Sequence, residues 1–425
     1  MLRQQLNLIR NNRVPYKYKI PNKTKFCIIE MISIQLKPKK EESLLRFHPW
    51  VFSGAIQRIE GDPVEGDLVE VVDSKRNFLA IGHYQIGSIA VRLVSFEKLT
   101  IDEHFWSKKI KLAYELRKSI GLIVPKQNNI YRLIHGEGDS LPGLIVDIYS
   151  DTAVMQAHSI GMHEIREILA RAIVENVAEV KNVFYKSETT LPFKAAITPE
   201  DGYLIGGETD SIKAIENGLE FHVDWLRGQK TGFFVDQREN RSLLERYSKG
   251  KSVLNMFCYT GGFSVYALRG GAEIVHSVDS STKAIQLTDK NVEINYPKDT
   301  RHKSFDEDAF KYLNNLGNIE QKYDLIILDP PAFAKHREAL HNALKGYKRL
   351  NAKAFEQIKP GGIVFTFSCS QVVTKEQFRL AVFSAAAESK RNVRILHQLS
   401  QPADHPINIY HPEGEYLKGL VLWVE

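Results

Sequence analysis

From residue 221 onward the chain alternates between short apolar runs and helix-sized amphipathic segments, and this alternation constrains the fold more than any other feature. Strands are predicted at residues 252–258, 273–279, 323–329, 362–369 and 417–423. Helices are predicted at residues 263–269, 282–295, 309–316, a stretch ending near Ile358, and 375–390. Parallel strands need long crossover connections, which helices provide. The pattern predicts a doubly wound α/β domain whose ligands bind at the carboxyl ends of its strands.

Two smaller units precede this domain. Residues 31–100 are predicted to form a small all-β domain, because strand-sized runs at 49–54, 67–73, 78–82 and 89–96 are separated by Gly, Asp and Asn. Residues 101–220 are predicted to form a mixed α/β central domain. Its expected elements are helices at 103–120 and 163–178 and strands at 131–135, 143–147 and 182–186. The third domain then covers residues 221–425.

The net charge of the chain comes from its first thirty residues. Lys and Arg total 57 against 51 Asp and Glu, and residues 1–30 hold seven of the basic residues but one acidic residue. The remainder carries 50 charges of each sign, so the whole-chain charge is no argument for nucleic acid. Strand-like alternation begins only at Met31. Residues 1–30 are therefore expected to be an extension or a disordered arm, with a transit peptide as a further alternative; a signal peptide is disfavoured because an apolar core is missing.

The three cysteines, Cys27, Cys258 and Cys369, are too few for a disulfide framework and lack metal-ligand spacing. No metal site is expected. The longest apolar runs are strand-sized, well short of the ~18 residues of a membrane span. The sequence thus predicts a protein of the reducing cytoplasm with free thiols and no membrane partner.

A nucleoside site is predicted at the first three strand ends. Paired glycines in Tyr259-Thr-Gly-Gly-Phe263 let the backbone approach a ligand at a helix N-terminus. Asp279 ends the next strand, where a carboxylate can accept both ribose hydroxyls. Asp308 opens the third helix, where it can meet an adenine amino group. Taken singly, each is equally explained by a tight turn or a solvated carboxylate. The glycine loop does not have the pattern G-x-G-x-x-G, which disfavours a dinucleotide ligand. The glycine loop, Asp279 and Asp308 together are similar to the S-adenosylmethionine sites of class I methyltransferases.

The chemical groups follow at the next two strand ends. Asp329-Pro-Pro-Ala-Phe333 presents a carboxylate from a rigid turn, and Phe333 can stack on a flat base. Cys369, between two serines after the next strand, is expected to reach the same cleft. Cys258 lies inside an apolar strand and is predicted to be a buried structural thiol. A thiolate is suited to addition at carbon 6 of a pyrimidine, which makes carbon 5 nucleophilic.

Several motifs together resemble the ribosomal RNA large subunit methyltransferase I family. They are the run from Gly228 to Asn240, Tyr259 to Phe263, Asp329 to Phe333, Thr366 to Ser370, Ala403 to Pro406, Tyr131 to Asp139, and Pro412 to Gly419. The likeness covers the chain from about Met31 and implies a PUA domain at residues 31–100, a small central domain and a Rossmann-like catalytic domain. It implies formation of 5-methylcytosine in 23S rRNA, or in a large-subunit precursor particle, and is compatible with a homodimer.

The resemblance also implies residue roles. Cys369 would attack carbon 6, and Asp329 would hold N3 and the amino group of cytosine. The S-adenosylmethionine site would comprise Gln237, Arg238, Tyr259, Thr260, Gly261, Gly262, Asp279 and Asp308. RNA cytosine-5 methyltransferases usually carry a second cysteine beside the proline motif. This sequence has none there, so the group that assists product release is unassigned.

Three other functions compete with this interpretation. Direct methylation of a guanine nitrogen in rRNA would need no thiol, so Cys369 argues against it. A small-molecule methyltransferase would not need two accessory domains. A non-catalytic RNA-binding protein would have no use for an intact glycine loop together with Cys369 and Asp329.

Overall fold

The computed structural model describes residues 31–124, 126–192, 197, 199–207, 212–316 and 322–425. The predictions for residues 1–30, Cys27 included, lie outside the described residues. None of the helices described is long and apolar enough to cross a membrane.

The N-terminal domain is a six-stranded sheet with one short helix. Its elements are β1 (Ser33–Leu36), α1 (Glu42–Leu45), β2 (Trp50–Phe52), β3 (Ile56–Glu60), β4 (Leu68–Val72), β5 (Phe78–Tyr84) and β6 (Ile89–Ser95). The strand order is β2-β6-β5-β4-β1-β3, and only the β1–β4 pair is parallel. Alternate residues such as Ile34, Leu36, Val69 and Val71 are buried, as the period of two requires. The sequence had not predicted β3, whose residues are mostly half exposed.

The central domain packs three helices on a five-stranded sheet. Its elements are α2 (Glu103–Ser119), β7 (Ile130–His135), β8 (Leu144–Tyr149), β9 (Thr152–Ala157), α3 (Ile160–Glu164), α4 (Arg166–Asn176), β10 (Asn182–Tyr185) and β11 (Gly202–Ile205), in the strand order β11-β10-β9-β8-β7. The predicted helix at 163–178 is interrupted at Ile165. The sequence missed β9, which follows β8 through the two-residue turn Ser150-Asp151, because that turn has no glycine or asparagine to mark it.

A hairpin joins the central domain to the catalytic domain. It consists of β12 (Ile212–Glu216) and β13 (Leu219–Val223). Asn217 and Gly218 form its turn, both with positive φ, at 50° and 80°. Asn-Gly is the residue pair that a two-residue hairpin favours, so the sequence did contain this signal although the hairpin was not predicted.

The catalytic domain confirms the predicted α/β class. Its strands are β14 (Ser252–Met256), β15 (Ile274–Asp279), β16 (His302–Asp306), β17 (Tyr323–Leu328), β18 (Ile358–Ser368), β19 (Val393–Leu399) and β20 (Lys418–Val424). Its helices are α5 (Arg238–Tyr247), α6 (Gly262–Arg269), α7 (Thr282–Asn295), α8 (Ala309–Leu316), α9 (Leu340–Gln357) and α10 (Lys375–Glu388). The order β16-β15-β14-β17-β18-β20-β19 is parallel through β18, and β20 runs antiparallel to both its neighbours.

Both faces of this sheet are covered. Along β17, Leu325 and Ile327 belong to one apolar layer, while Ile326 and Leu328 belong to the layer on the other face. This double burial explains why the central strands are continuous apolar runs. The missed strand β19 lies at the edge and is half exposed, so it carries no such run.

Asp404 joins the catalytic domain to the central domain. Its carboxylate accepts two hydrogen bonds from the guanidinium of Arg238, at 2.8 and 2.9 Å, and one from the backbone N–H of Arg132 at 2.9 Å. Arg117 donates to the backbone oxygen of Asp404 at 2.7 Å. Asp404, Arg238 and Arg117 are all buried. A buried carboxylate thus neutralises one guanidinium while holding two domains together.

We expect Asp404→Ala to destabilise the protein by about 3–5 kcal/mol, because the buried guanidinium of Arg238 loses its counter-charge. Urea unfolding of both proteins measures the difference. Glu388→Ala is the control, since Glu388 forms an exposed pair with Lys348, and such pairs contribute about 0–1 kcal/mol. An Asp404→Ala protein as stable as the control would contradict this account of the domain junction.

Candidate active site

The strand order reverses at β14. The chain leaves β14 for β15 on one side of the sheet and later returns to β17 on the other. Connections that diverge in this way leave a crevice beyond the carboxyl ends of the strands. The loops that follow β14, β15, β17 and β18 carry most of the residues predicted to act.

The loop after β14 is shaped by Gly261 and held by helix α7. Gly261 has φ +75°, and a Cβ at this position would lie 2.6 Å from Cγ2 of Thr288. Thr288 donates to the backbone oxygen of Tyr259 at 2.9 Å, and Asn291 donates to that of Thr260 at 2.8 Å. The backbone therefore turns close to α7, with its path set by two side-chain donors. Gly262 begins helix α6, whose free N–H groups lie at the crevice.

Asp279 stands at the end of β15, as predicted. Each of its carboxylate oxygens accepts one backbone N–H, from Tyr259 at 3.0 Å and from Ser281 at 2.9 Å. Every carboxylate oxygen has further lone pairs, so both can still accept a ribose hydroxyl. The two backbone bonds orient the carboxylate and tie it to the glycine loop. These residues fit a nucleoside cofactor.

The other three predicted cofactor residues are placed differently from one another. Asp308 is exposed, and one of its oxygens caps α8 by accepting the N–H of Lys311 at 3.0 Å. Gln237 is buried and donates from Nε2 to Asp329 at 3.1 Å, which brings it to the chemical site. Both terminal nitrogens of Arg238 donate to Asp404. A direct role for Arg238 at the cofactor stays a prediction, and the contacts described show it at the domain junction.

Asp329 follows β17 directly, and its environment disfavours the charged form. Burial and the negative charge of Asp236 raise the pKa of Asp329 to about 7, against a lowering by the hydrogen bond from Gln237. Asp236 is itself buried and accepts a 2.6 Å hydrogen bond from the hydroxyl of Tyr416. A carboxyl group with a pKa near neutrality can donate or accept a proton in this crevice.

Cys369 follows β18, the parallel neighbour of β17, and it is partly exposed. The structure thus places the predicted pair at adjacent strand ends. Burial raises the pKa of the Cys369 thiol, the positive charge of Lys230 opposes this, and Asp329 and Asp236 add to it. Cys258 is only 6% exposed, and burial raises its pKa, with its sulfur 3.6 Å from the hydroxyl of Thr288. This contrast agrees with the structural role predicted for Cys258.

The aromatic side of the crevice is formed by Phe333, which packs against the buried ring of Tyr347. Their ring centroids lie 4.7 Å apart at an interplanar angle of 38°. A Cβ at Gly346 would lie 3.0 Å from the Phe333 ring, so this glycine lets the helix α9 approach the ring. The hydroxyl of Tyr347 accepts a hydrogen bond from Ser368 at 2.9 Å, which links α9 to the end of β18.

Sequence reasoning had assigned no role to Asp236, Tyr347 or Lys418, although all three surround the predicted pair. Asp236 lies inside the motif from Gly228 to Asn240, so a signal was present. Tyr347 comes from a helix whose pattern indicates only a core face. Lys418 lies inside the motif from Pro412 to Gly419, so a signal was present there as well, but its place beside β18 depends on the long-range antiparallel pairing of β20. Among the residues described, no cluster of three or more His, Cys, Asp or Glu could hold a metal ion.

Comparison with known proteins identifies the family. A family profile described as S-adenosylmethionine-dependent methyltransferase matches residues 189–410, and one described as PUA-like domain matches residues 34–96. Ribosomal RNA large subunit methyltransferase I of Aeromonas hydrophila is 40% identical over 394 residues, covering 92% of this chain and 98% of that protein. The chain belongs to the ribosomal RNA large subunit methyltransferase I family. The homologous protein of Tolumonas auensis is 39% identical with the same coverage.

Solved structures agree with this assignment. A SAM-dependent methyltransferase from Streptococcus mutans has the same fold, with a TM-score of 0.79 at 24% identity, covering 93% of this chain and all of that chain. The structure of SMU.776, a methyltransferase complexed with S-adenosylhomocysteine, has a TM-score of 0.80 at 25% identity with the same coverage. The chain is thus an S-adenosylmethionine-dependent methyltransferase of large-subunit rRNA with an N-terminal PUA-like domain.

We predict that Asp279→Ala weakens S-adenosylhomocysteine binding by about 1–3 kcal/mol, since the ribose loses a charged acceptor and the glycine loop loses its tie. Gly261→Val should weaken binding further, because a β-branched residue is strained at φ +75° and would collide with Thr288. Calorimetric titration measures both. Asp289→Ala is the matched control, an exposed aspartate on the neighbouring helix α7. Unchanged affinity in Asp279→Ala would show that the ribose is held by other residues.

The raised pKa of Asp329 predicts a pH-dependent stability. An aspartate with an ordinary pKa of 3.8 when unfolded and about 7 when folded binds more protons in the folded state, so stability falls as the pH rises between those values. Asp329→Asn cannot ionise and should be more stable than wild type at pH 8, by up to about 4 kcal/mol. At pH 4 the difference should be small. Equal melting temperatures for the two proteins at pH 8 would mean that the carboxylate is well solvated.

Proposed function

We propose that this methyltransferase forms 5-methylcytosine in 23S rRNA through a covalent adduct between Cys369 and carbon 6 of the base. The observation that carries the proposal is the pairing of a partly exposed thiol with a carboxyl group of raised pKa at the ends of two adjacent parallel strands. Asp329 lies one residue beyond the paired residues Leu328 and Thr366 of β17 and β18, and Cys369 lies three residues beyond. Both side chains therefore belong to one crevice.

Carbon 5 of cytosine is too weak a nucleophile to attack a methyl group unaided. When the Cys369 thiolate adds to carbon 6, the electron pair of the carbon 5–carbon 6 bond moves through the ring towards N3, where the charge must be neutralised. Protonated Asp329 can donate its proton to N3 at that moment. S-adenosylmethionine, when bound, supplies an electrophilic methyl group. Loss of the carbon 5 proton to a base then expels the thiolate, and N3 returns its proton to Asp329.

The electrostatics of the crevice suit the acid role of Asp329. With a pKa of about 7 it is protonated in a large fraction of molecules at neutral pH, whereas an aspartate with an ordinary pKa would be almost fully ionised. Gln237 donates to one carboxyl oxygen and accepts from Asn240, which fixes the orientation of both groups. The proposal assigns the second carboxyl oxygen of Asp329 to the hydrogen bond with cytosine.

RNA contact is proposed to involve the PUA-like domain and the basic residues beyond the proline turn. Lys335, His336 and Arg337 follow Asp329-Pro-Pro-Ala-Phe333 and are exposed. Exposed cations near a phosphate backbone bind it irrespective of sequence. A large-subunit precursor particle as the substrate, a homodimer and a cytoplasmic location stay predictions.

Direct methylation of a guanine nitrogen is the second candidate. A carboxylate and an aromatic ring beside a proline turn could bind a guanine base as well as a cytosine base. The thiol separates the two functions, because a ring nitrogen already has a lone pair and needs no covalent activation. The partly exposed Cys369 favours cytosine.

We expect Cys369→Ala to lose methylation of rRNA by several orders of magnitude while binding S-adenosylhomocysteine with wild-type affinity, because the nucleophile is lost but the cofactor residues are not. Transfer of labelled methyl groups to rRNA, with the modified base identified by mass spectrometry, measures the activity. Wild type should also form a covalent adduct with RNA containing 5-fluorocytosine, because fluorine replaces the carbon 5 proton and cannot be removed by a base.

Cys258→Ala is the control for thiol loss. Cys258 is buried against Thr288 on α7, so its replacement should leave most of the activity. If Cys369→Ala methylates rRNA at a rate close to that of Cys258→Ala, the covalent mechanism is excluded and transfer to a ring nitrogen becomes the better account.

A further inference from the structure

Lys418 is a buried lysine beneath the chemical site. It begins β20 opposite Ser368 of β18, and it is only 5% exposed. Its Nζ donates to the backbone oxygen of Ser370 at 2.6 Å, and within the described chain it forms no ion pair with a carboxylate. Lysines are rarely buried in this way unless a negative partner compensates the cost of removing the charge from water.

The contacts of Ser370 connect Lys418 to both strand-end turns. Ser370 is the residue after Cys369, so the hydrogen bond from Lys418 holds the backbone of the turn one residue beyond the thiol. The hydroxyl of Ser370 donates to the backbone oxygen of Ala334 at 2.5 Å, within the turn that begins at Asp329. Lys418, Ser370 and Ala334 thus form a chain of two hydrogen bonds between the thiol turn and the carboxyl turn.

We propose that Lys418 is a positioning residue whose ammonium group fixes the turn carrying Cys369 and stabilises the Cys369 thiolate. The proposal rests on the proposed function, since only covalent addition to the base requires a thiolate. In the free enzyme, ionisation leaves the electron pair of the S–H bond on sulfur and releases the proton to water. The thiolate then becomes the negative partner that the buried lysine otherwise lacks.

The charges around the thiol show why a buried cation is needed. Burial, Asp329 and Asp236 all oppose formation of the thiolate. Lys230 favours it, but Lys230 is exposed and water screens its charge. A cation on the protein side acts through a medium of lower dielectric constant and has a stronger effect.

Lys418 is charged at the pH where it is needed. Burial lowers the pKa of Lys418 to about 8, Cys369 and Glu415 oppose this lowering, and Lys375 adds to it. The ammonium form therefore predominates at neutral pH. Lys375 and Glu415 form an ion pair with one another. Of the three groups that act on the pKa of Lys418, Cys369 is therefore the one without a charged partner among the residues that the structure describes.

Alkylation of Cys369 tests the proposal without any use of RNA. The full-length enzyme is treated with iodoacetamide over a range of pH, and peptide mass spectrometry follows Cys369 separately from Cys258 and Cys27. Lys418→Met removes the charge and the hydrogen bond in a side chain of similar length. We expect it to raise the apparent pKa of Cys369 by about one unit, slowing alkylation about tenfold at pH 7, where the ammonium form of Lys418 predominates in wild type. Lys418→Arg should retain most of the wild-type rate.

Two further variants separate charge from packing. Lys418→Gln can still donate a hydrogen bond to Ser370 but carries no charge, so it should behave like Lys418→Met. Lys359→Met is the control, since Lys359 lies near the other end of β18 and pairs with Asp324. S-adenosylhomocysteine binding confirms that each variant is folded, and Lys418→Gln carries the test if Lys418→Met does not fold.

A wild-type pH profile of alkylation in Lys418→Gln or Lys418→Met would overturn the proposal, as would an equal shift in Lys359→Met. Failure of the proposed function has a different signature. A methylated guanine as the product would overturn the proposed function whatever the alkylation profiles show, whereas failure of the present inference appears as wild-type alkylation profiles in the Lys418 variants and leaves the product base unaffected.

Discussion

The parallel pairing of β17 with β14 on one side and β18 on the other determines where the glycine loop, Asp329 and Cys369 lie relative to one another. The central residues of β17 are apolar and buried on both faces of the sheet, so a one-residue slip would move each side chain into the opposite layer of the core and disrupt the packing of both layers. The fixed register brings the glycine loop, the Asp329 turn and the Cys369 turn to one edge. The cofactor and the base can then meet in a crevice built from a rigid sheet.

Burial of charge is the second constraint on the site. Asp329 and Asp236 lie close enough to raise the pKa of Asp329, and this like-charge pair is kept in place by donors from Gln237 and Tyr416. Asp404 satisfies Arg238 in the same region and extends the polar network into the central domain. The central domain therefore supports the catalytic domain through buried hydrogen bonds as well as through apolar packing.

Much of the catalytic domain could be predicted because its signals are local. Helices α7 and α8 have the bounds that were predicted from apolar periodicity, and the strand ends at Asp279 and Asp329 are correct within one residue. The elements that were missed have weak local signals. The edge strand β19 is half exposed, and the hairpin turn before β9 has neither glycine nor asparagine. Pairing with distant segments, rather than local propensity, makes them strands.

The sequence by itself determined the α/β class, the glycine loop, the family and the positions of Asp279, Asp329 and Cys369 at strand ends. Only the tertiary structure decided which distant groups surround them. Arg238 binds Asp404, although its motif had suggested the cofactor, and Lys418 lies beneath Cys369 because β20 inserts antiparallel between β18 and β19. Periodicity records which face of an element is buried, but the partner across that face depends on contacts between residues far apart in the chain.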